Sequence, residues 1–386
     1  MNKQRQVIVI GAGASGLMAA ITAAEHGAGV LVLEHMDSAG KKLLLTGKGR
    51  CNYTNTDVCP KHYHSLESYL AGSDAGSAPQ EFMEPVLSEF DHAACLDYFR
   101  TLGIEPEIRH YRFDHTGYVY PREGGASKVL DALMLRAELL GVRFLYGVRI
   151  STAVRTDDGS FALSWHRSVH GHTAEEQESC DALIIAAGSN AYPDTGSDSS
   201  VYSLLKELGL SADHTGFLPA LCALYSKDPL LSEWKGQRAE GTVSLLIDGR
   251  ETSRKERGEI QFNEHSISGI PVMQLSGLAS SCLKNGRSIS LSLQIPDADD
   301  PGRLLMDHVF PIHRTAGFER AQCCTGGIRL GAVDFLSMES AHCRGVYFCG
   351  EILDIDGDCG GYNLHFAWAS GRLAGRCAAD PVRDRF

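Results

Sequence analysis

Several features that would place this protein at a membrane or on nucleic acid are missing from its sequence. No apolar stretch approaches the roughly 18–20 residues needed to span a bilayer, and the N-terminal run Val7 to Ile10 is too short for a signal peptide. Clustered Lys and Arg are also lacking, and the net charge of -12 opposes binding to nucleic acid. The sequence therefore predicts a cytoplasmic protein with neither a membrane nor a nucleic acid as partner.

A zinc-binding pattern is lacking as well. None of the twelve cysteines forms a C-x-x-C pair, the commonest zinc spacing. Cys59 lies close to one His-x-His pair, His62 with His64, but no second ligand cluster has a matching spacing; a further pair is His170 with His172. We expect both pairs to lie in solvated polar loops, most cysteines to be reduced core residues, and no metal to be bound.

The segment from Val7 to Glu34 has the pattern of a dinucleotide-binding βαβ unit. A short apolar strand runs into Gly11-Ala12-Gly13-Ala14-Ser15-Gly16, an Ala-rich helix follows over Leu17 to His26, and a second apolar run, Val30 to Leu33, ends on Glu34. A lone Gly-x-Gly-x-x-Gly is a weak signal, but the full order of strand, turn, helix, strand and acid is specific. The sequence therefore predicts an α/β nucleotide-binding fold.

Each part of this unit has a physical role. Gly11 permits the tight turn out of the strand, Gly13 lets a pyrophosphate approach the backbone, and Gly16 lets the helix pack closely on the sheet. The N–H groups and the dipole at the start of the helix attract the phosphates. The Glu34 carboxylate can hold both hydroxyls of an adenosine ribose and repels a 2′-phosphate, so the unit favours FAD or NAD over NADP.

Later segments of the chain are also typical of a dinucleotide-binding site. A Gly- and Lys-rich segment runs from Lys41 to Asn52, and a buried strand from Asp181 ends in Ala-Gly at Gly188. Further along, the strand-like run 346–351 ends in Gly-Glu, and a glycine turn over 356–363 precedes a helix predicted from Leu364 to about Cys377. The start of this helix would direct N–H groups at an anion, which in a flavoenzyme is the N1–C2=O edge of the reduced flavin.

The length and the local composition of the chain predict two domains. A chain of 386 residues exceeds the usual limit of about 250–300 residues for a single core. Residues 191–321 contain more Ser, Pro and Asp, lack a second βαβ series, and include strand-like runs at Leu245 to Ile247 and Ile289 to Leu293. We therefore predict a discontinuous nucleotide-binding domain, 1–190 and 322–386, with a mainly β domain inserted at 191–321.

Local patterns predict several further elements of the first domain. Residues 71–80 are predicted to form an exposed loop. Helical spacing predicts helices over Leu87 to Leu102 and Ala126 to Leu140. Alternation predicts a hairpin over 107–121, with its turn at Asp114-His115-Thr116-Gly117. A strand is predicted over 142–145 and its continuation over 147–150.

Together these motifs resemble one family, the flavoproteins that include bile-acid-type ene reductases and aminoacetone-oxidase-like enzymes. The resemblance covers nearly the whole chain. It rests on the first glycine motif and on Gly49-Arg50-Cys51-Asn52-Tyr53-Thr54-Asn55, Tyr192-Pro193-Asp194-Thr195-Gly196-Ser197, Ser268-Gly269-Ile270-Pro271, Thr325-Gly326-Gly327, Met338-Glu339-Ser340 and the long run from Gly350 to Leu364.

The resemblance implies bound FAD, a Rossmann-like domain of the two-dinucleotide-binding type, and an inserted substrate domain with a β-barrel and a small helical part. It assigns FAD binding to Gly11, Gly13, Ala14, Ser15, Gly16, Glu34, Lys42, Arg50, Cys51, Asn52, Val148, Gly350, Glu351, Gly361 and Asn363. The chain departs from the family where Lys48 interrupts a run of glycines, where His365-Phe366 replaces Gln-Trp, and between Ser276 and Thr325, which is shorter than usual. These departures leave the substrate open.

The predicted function is an FAD-dependent oxidoreductase that transfers hydride between flavin N5 and a small organic substrate. Only one dinucleotide fingerprint is present, so NAD(P)H binds transiently or the substrate itself reduces the flavin. We favour NAD(P)H-dependent reduction of an activated C=C bond. The alternatives are an amine oxidase that uses oxygen and a non-catalytic FAD protein that acts in redox sensing or as a partner in RNA modification. The oligomeric state is not predicted.

The candidate catalytic residues are Cys51, His365 and Tyr362. Cys51 and Cys359 both lie in glycine-rich motifs. On one interpretation they form a redox pair or a flavin adduct, and on the other they are thiols packed in tight turns. His365 contacts the flavin edge or the substrate, or is a hydrogen-bonded helix histidine. Tyr362, like His265 in the insert, is a candidate proton donor.

Overall fold

The computed structural model describes residues 4–70, 77–111, 114–169, 172–297, 300 and 303–380. Its α-helices are α1 (Ala14–Glu25), α2 (Lys41–Leu45), α3 (Leu66–Leu70), α4 (Ser77–Glu89), α5 (His92–Thr101), α6 (Gly125–Leu139), α7 (Val201–Glu207), α8 (Leu230–Trp234), α9 (Ile270–Gln274), α10 (Ser276–Lys284) and α11 (Tyr362–Ala379). Within the described ranges, no helix has both the length and the apolar character to cross a membrane.

The strands are β1 (Gln6–Ile10), β2 (Gly29–Glu34), β3 (Thr54–Asn55), β4 (Tyr63–His64), β5 (Pro106–Tyr111), β6 (Asp114–Pro121), β7 (Arg143–Tyr146), β8 (Arg149–Arg155), β9 (Phe161–Val169), β10 (His172–Cys180), β11 (Ala182–Ile185), β12 (Leu218–Ala220), β13 (Leu224–Ser226), β14 (Arg238–Ile247), β15 (Arg250–Phe262), β16 (Ser266–Ser268), β17 (Ile289–Pro296), β18 (Leu304–Thr315), β19 (Cys323–Thr325), β20 (Val346–Phe348) and β21 (Asp356–Gly357).

A parallel five-stranded sheet with the order β20-β11-β1-β2-β7 organises the first domain. β1 lies at its centre, because Ile8 pairs with Leu183 of β11 on one side and with Leu31 of β2 on the other. The central strands are short apolar runs that are buried, as expected for a parallel sheet covered on both faces. The carboxyl ends of β1 and β2 meet at one edge, where sheets of this type bind their ligands.

Helices α1 and α11 pack against each other at very short range. An added Cβ at Gly371 of α11 would lie 2.4 Å from the carbonyl oxygen of Ser15, and one at Gly375 would lie 2.3 Å from that of Ala19. Both helices are buried along most of their length and both contact β1 and β11. The C-terminal helix therefore belongs to the same core as the N-terminal nucleotide unit.

A closed antiparallel barrel forms a second unit, with the strand order β13-β16-β15-β14-β17-β18. Its strands lie between Leu224 and Thr315, inside the predicted insert, and their core is separate from that of the parallel sheet. Side chains alternate along the strands, so that β17 buries Ile289, Leu291, Leu293 and Ile295. Helices α9 and α10 follow β16 as the small helical part. The predicted fold class is confirmed.

The structure divides two elements that the sequence predicts to be continuous. The helix predicted over Leu87 to Leu102 is divided, because Asp91 starts α5 by accepting a hydrogen bond from the backbone N–H of Ala94 at 2.8 Å. The strand predicted to continue from Val142 to Ile150 is divided at Gly147, where φ is 70°. The chain there leaves β7 in the parallel sheet and enters β8 in a separate three-stranded sheet.

The hairpin predicted over 107–121 is present as β5 and β6, but β6 already begins at Asp114. The residues predicted to form the turn therefore belong to the strand. Of the loop predicted over 71–80, residues 71–76 lie outside the described residues, and 77–80 are the first turn of α4. His170 also lies outside the described residues.

Candidate cofactor site

A cavity of about 350 Å³ lies at the carboxyl ends of β1 and β2. Its wall is formed by the first turn of α1, the end of β2, α2, the chain around 148–150 and the start of α11. Nine of the residues that the sequence assigned to FAD line it: Gly11, Gly13, Ala14, Ser15, Glu34, Lys42, Val148, Glu351 and Asn363. Residues far apart in the sequence thus meet around one cavity.

The glycine turn gives a ligand direct access to the start of α1. Gly11 has φ of 101°, and a Cβ there would lie 2.5 Å from the carbonyl oxygen of Ala186, so only glycine fits. Gly13 caps α1 without a side-chain hydrogen bond, and a Cβ built on it would meet nothing within 4 Å. The start of α1 therefore lines the cavity with free space beside Gly13, and the positive end of the helix dipole there suits an anion.

Glu34 presents a carboxylate in a fixed orientation. Its Oε2 accepts a hydrogen bond from the backbone N–H of Ala12 at 2.7 Å, and its Oε1 accepts one from that of Met36 at 2.8 Å. The side chain is almost fully buried at the end of β2. Because each carboxylate oxygen can accept further bonds, Glu34 remains able to hold two ligand hydroxyls.

Lys42 is joined to Glu351 across the cavity wall. Its Nζ lies 2.5 Å from Glu351 Oε2, which also accepts a hydrogen bond from Ser189 Oγ at 3.1 Å. Burial lowers the pKa of Lys42, but the charge and the hydrogen bond of Glu351 together raise it above its usual value. Lys42 is therefore a charged donor that already has a counter-ion in Glu351.

Two other cations of this segment have partners of their own. Lys41 also lines the cavity and pairs with Asp37 at 2.7 Å. Arg50 is exposed, stacks over the ring of Tyr120 with its Cζ 5.0 Å from the centroid, and does not line the cavity. Arg50 therefore does not contact the cavity.

The turn before α11 is held by the side chain of Asn363. Its Oδ1 accepts a hydrogen bond from the backbone N–H of Gly357, and its Nδ2 donates one to the carbonyl of the same residue, each at 2.9 Å. Gly361 caps the helix with φ of 96°, and a Cβ on it would lie 2.4 Å from the carbonyl oxygen of Thr54. The start of α11 is thereby fixed beside the cavity.

Five more of the predicted FAD residues surround the cavity without lining it. Gly16 and Gly350 permit close approaches, since a Cβ at Gly16 would lie 2.0 Å from the carbonyl oxygen of Gly11 and one at Gly350 would lie 2.3 Å from Ser15 Oγ. Gly361 caps α11, as described. Asn52 has a buried Oδ1 with no hydrogen-bond partner among the described residues.

Cys51, the fifth of them, is buried in a left-handed backbone conformation, with φ of 58°. Burial raises the pKa of its thiol to about 12, so the thiolate needed for adduct formation is scarce at neutral pH. All cysteines except Cys59 and Cys359 are buried. These surroundings favour the packed-thiol interpretation of Cys51, and its catalytic role stays a prediction.

These surroundings fit FAD. The open space at Gly13 can admit a pyrophosphate, Glu34 can hold ribose hydroxyls, and the unused acceptor of Asn52 lies beside Gly361 at the start of α11. FAD contains both an adenosine ribose and hydrogen-bond donors on its flavin ring, which these groups can satisfy.

The two other candidate catalytic residues are buried at the start of α11. His365 is fully buried, with Nδ1 2.8 Å from Thr54 Oγ1 and Nε2 2.9 Å from the carbonyl oxygen of Phe90. Burial lowers its pKa to about 4. Tyr362 is also buried and stacks on His62, with ring centroids 4.3 Å apart. Neither side chain lines the cavity, and His265 is exposed in the insert.

We expect the substitution His365→Gln to affect stability more than flavin chemistry. His365 is neutral when folded and takes up a proton below pH 6.5 when unfolded, so it makes the free energy of unfolding fall as the pH drops from 6.5 towards 4. The variant should be less stable than the wild type at pH 7. Its free energy of unfolding should decrease less between pH 6.5 and pH 4, and its rate of flavin reduction should stay within a few-fold of the wild-type rate. Chemical denaturation at several pH values measures the first two effects. A hundredfold slower flavin reduction with unchanged stability would instead support a catalytic role.

The cavity is also lined by residues that were not assigned to FAD from the sequence. His35 lies beside Glu34, with Nδ1 3.6 Å from Oε1, and Ser197, Arg149 and Gln322 also line the wall. Ser197 lies in one of the motifs that carried the family resemblance. For the others no local pattern was available, because their place depends on contacts between distant segments.

Comparisons with known proteins agree with this geometry. A family model described as the HI0933-like protein Rossmann domain matches residues 5–377. A 3-dehydro-bile acid delta(4,6)-reductase from Clostridium scindens is 31% identical over 432 residues, covering 96% of this chain and 98% of that protein. A ribosomal RNA dihydrouridine synthase from Escherichia coli K12 is 25% identical over 425 residues, covering 97% of each chain.

The fold is also found in a solved structure. The crystal structure of 3-ketosteroid-delta4-(5alpha)-dehydrogenase from Rhodococcus jostii RHA1 in complex with 4-androstene-3,17-dione has a TM-score of 0.56 and 18% identity, covering 98% of this chain and 97% of that one. The predictions of the fold, of the family resemblance and of an FAD-dependent oxidoreductase are confirmed. The chain belongs to the HI0933-like family of Rossmann-domain flavoproteins.

Proposed function

We propose that this protein takes electrons from NAD(P)H and reduces a C=C bond conjugated to a carbonyl in a small, steroid-like substrate. The similarity to the bile acid reductase along nearly the whole chain carries this proposal. The dihydrouridine synthase supports the same reaction type, since dihydrouridine is uridine with a reduced C=C bond next to a carbonyl. The preference for reduction over amine oxidation rests on these two relatives.

The residues of the cavity have separable roles in this reaction. When bound and reduced by NAD(P)H, FAD would supply the hydride. The N–H groups at the start of α1 hold the pyrophosphate and Glu34 holds the ribose, which fixes one end of the cofactor. Lys42 keeps the proton on its Nζ at neutral pH, because Glu351 stabilises the charge, and therefore acts as a fixed positive donor rather than as an acid. The Asn363 amide keeps the turn before α11 in place.

A two-stage experiment tests the proposal. In the first stage, NADH or NADPH is added anaerobically to the FAD-loaded protein, and we expect the flavin band to bleach within seconds with one of them. In the second stage, a 3-keto-4-ene steroid is added, and the band should recover with formation of a product two hydrogens heavier. A flavin that stays oxidised with both donors, but is reduced by an amine and reoxidised by oxygen, would overturn the proposal in favour of an amine oxidase.

Ribosomal RNA is the second candidate substrate, because a full-length relative acts in its modification. The net charge of -12 opposes it, since RNA binding needs clustered cations. The same reduced enzyme, mixed with unmodified ribosomal RNA, distinguishes the two. Reoxidation by the steroid and not by the RNA is expected; the reverse result would assign the protein to RNA modification. Reduction by neither a nicotinamide nor an amine would favour the non-catalytic FAD protein.

A further inference from the structure

Outside the cavity, one short segment brings a carboxylate, a thiol and an imidazole together. Cys59 Sγ lies 3.4 Å from Asp57 Oδ1, and His62 Nε2 lies 3.2 Å from Asp57 Oδ2. The ligand atoms of the three residues all lie within 4.8 Å of one another. Zinc bonds of about 2.0–2.3 Å at tetrahedral angles place neighbouring ligand atoms about 3.3–3.6 Å apart. The two distances, one to each oxygen of Asp57, are each close to this separation.

The imidazole is oriented in the way that a metal ligand requires. His62 Nδ1 lies 3.0 Å from Asp358 Oδ2, and Asp358 in turn accepts hydrogen bonds from Arg254 Nη2 at 2.7 Å and contacts His64 Nε2 at 3.1 Å. The ring of His62 also stacks on Tyr362. Histidines that bind zinc commonly donate their other N–H to a carboxylate in this manner, which directs the second nitrogen at the metal.

The charges around the segment suit a cation that can enter from solvent. Asp57 is 40% exposed, whereas His62 and Asp358 are 16% and 14% exposed. Lys61 now supplies a positive charge to Asp57, with Nζ 2.8 Å from Oδ2, but its side chain is 65% exposed and extends from the surface. A divalent cation can therefore replace Lys61 at Asp57 without rearrangement of the core.

We propose that Asp57, Cys59 and His62 form a site for a thiophilic divalent cation such as Zn²⁺, with Asp358 as the supporting carboxylate and water at the fourth position. The pattern Asp-x-Cys-x-x-His was not recognised from the sequence. There, Cys59 was considered only with the pair His62 and His64, and a solvated polar loop was expected. The site would join the segment 57–62 to Tyr362, the first residue of α11. It is independent of which substrate the flavin cavity takes.

Titration of the purified FAD-loaded protein with Zn²⁺ alone, after treatment with a chelator, tests the proposal. We expect one Zn²⁺ to bind per chain. Cys59→Ser and His62→Gln should each weaken binding at least tenfold, while the flavin spectrum reports whether each variant is folded. Lys61→Ala should tighten binding severalfold, because it removes the competing cation. Lys255→Ala is the matched control, since Lys255 forms a similar i,i+4 pair with Glu251, and should leave binding unchanged.

A second measurement needs no variant. Alkylation of Cys59, mapped by mass spectrometry in the native protein, should slow at least tenfold when Zn²⁺ is present, whereas alkylation of Cys359 should not change. Co²⁺ in place of Zn²⁺ should give ligand-field bands at longer wavelengths than the flavin absorption. Equal Zn²⁺ binding by the wild type and the folded Cys59→Ser variant, or unchanged alkylation of Cys59, would overturn the proposal.

Discussion

The substitution Glu34→Gln is expected to weaken FAD binding by roughly 100-fold or more while the protein stays folded. The carboxylate accepts hydrogen bonds from the N–H groups of Ala12 and Met36 and has acceptor capacity left for two ribose hydroxyls. A glutamine turns one of the two oxygens into an N–H donor, which then faces a backbone N–H. Loss of two charge-assisted hydrogen bonds of about 1.5–3 kcal/mol each removes at least about 3 kcal/mol of binding free energy, and each 1.4 kcal/mol is about a tenfold change in affinity.

The measurement is titration of the apoprotein with FAD by calorimetry. Glu25→Gln is the matched control, because Glu25 lies at the far end of α1 and pairs there with Arg136 at 2.7 Å. It should bind FAD like the wild type. A dissociation constant for Glu34→Gln within threefold of the wild type would show that Glu34 serves only to hold the main chain of Ala12 and Met36.

The second large effect is expected from Gly371→Val, which should lower stability by about 3 kcal/mol. The added Cβ would lie 2.4 Å from the carbonyl oxygen of Ser15, which is backbone and cannot rotate away, so α11 and α1 must separate. Both helices are buried on either side of this contact, and their separation opens voids that cost packing energy. Because Ser15 lines the cavity, FAD affinity should fall with stability.

Thermal unfolding with and without added FAD measures this effect. Gly331→Val is the control, since a Cβ at Gly331 would meet nothing within 4 Å, and its melting temperature should change little. Glycine is a poor helix residue, so a variant that melted higher than the wild type would show that the helices had adjusted to the new side chain at no cost.

The parts of the fold that the sequence predicted well are those whose signals are local. The run from Val7 to Glu34 contains its own turn glycines, helix and terminal acid within one βαβ unit, so the strand, the helix and the position of Glu34 follow from neighbouring residues. The barrel was predictable in kind from alternation such as that of Ile289 to Leu293, where each buried side chain is two residues from the next.

Pairings between distant segments could not be predicted in this way. Nothing near Lys42 indicates that its counter-ion is Glu351, or that Ser189 completes the contact. Likewise two alternatives for His365 were open from the sequence, and only the positions of Thr54 and Phe90 show that both ring nitrogens already have hydrogen-bond partners. Such contacts depend on the packing of the whole domain, and a local pattern contains no information about them.

The ion pair of Lys42 with Glu351 joins residues 309 positions apart, and this has a consequence for synthesis of the chain. The first βαβ unit leaves the ribosome long before β20 and α11, which complete its sheet and cover α1. The barrel has its own core and is made in between, so it can fold first, while the nascent nucleotide unit keeps apolar surface exposed. We therefore expect FAD to bind late in the synthesis of the chain. Chaperones should be needed most while the nucleotide-binding domain is still incomplete.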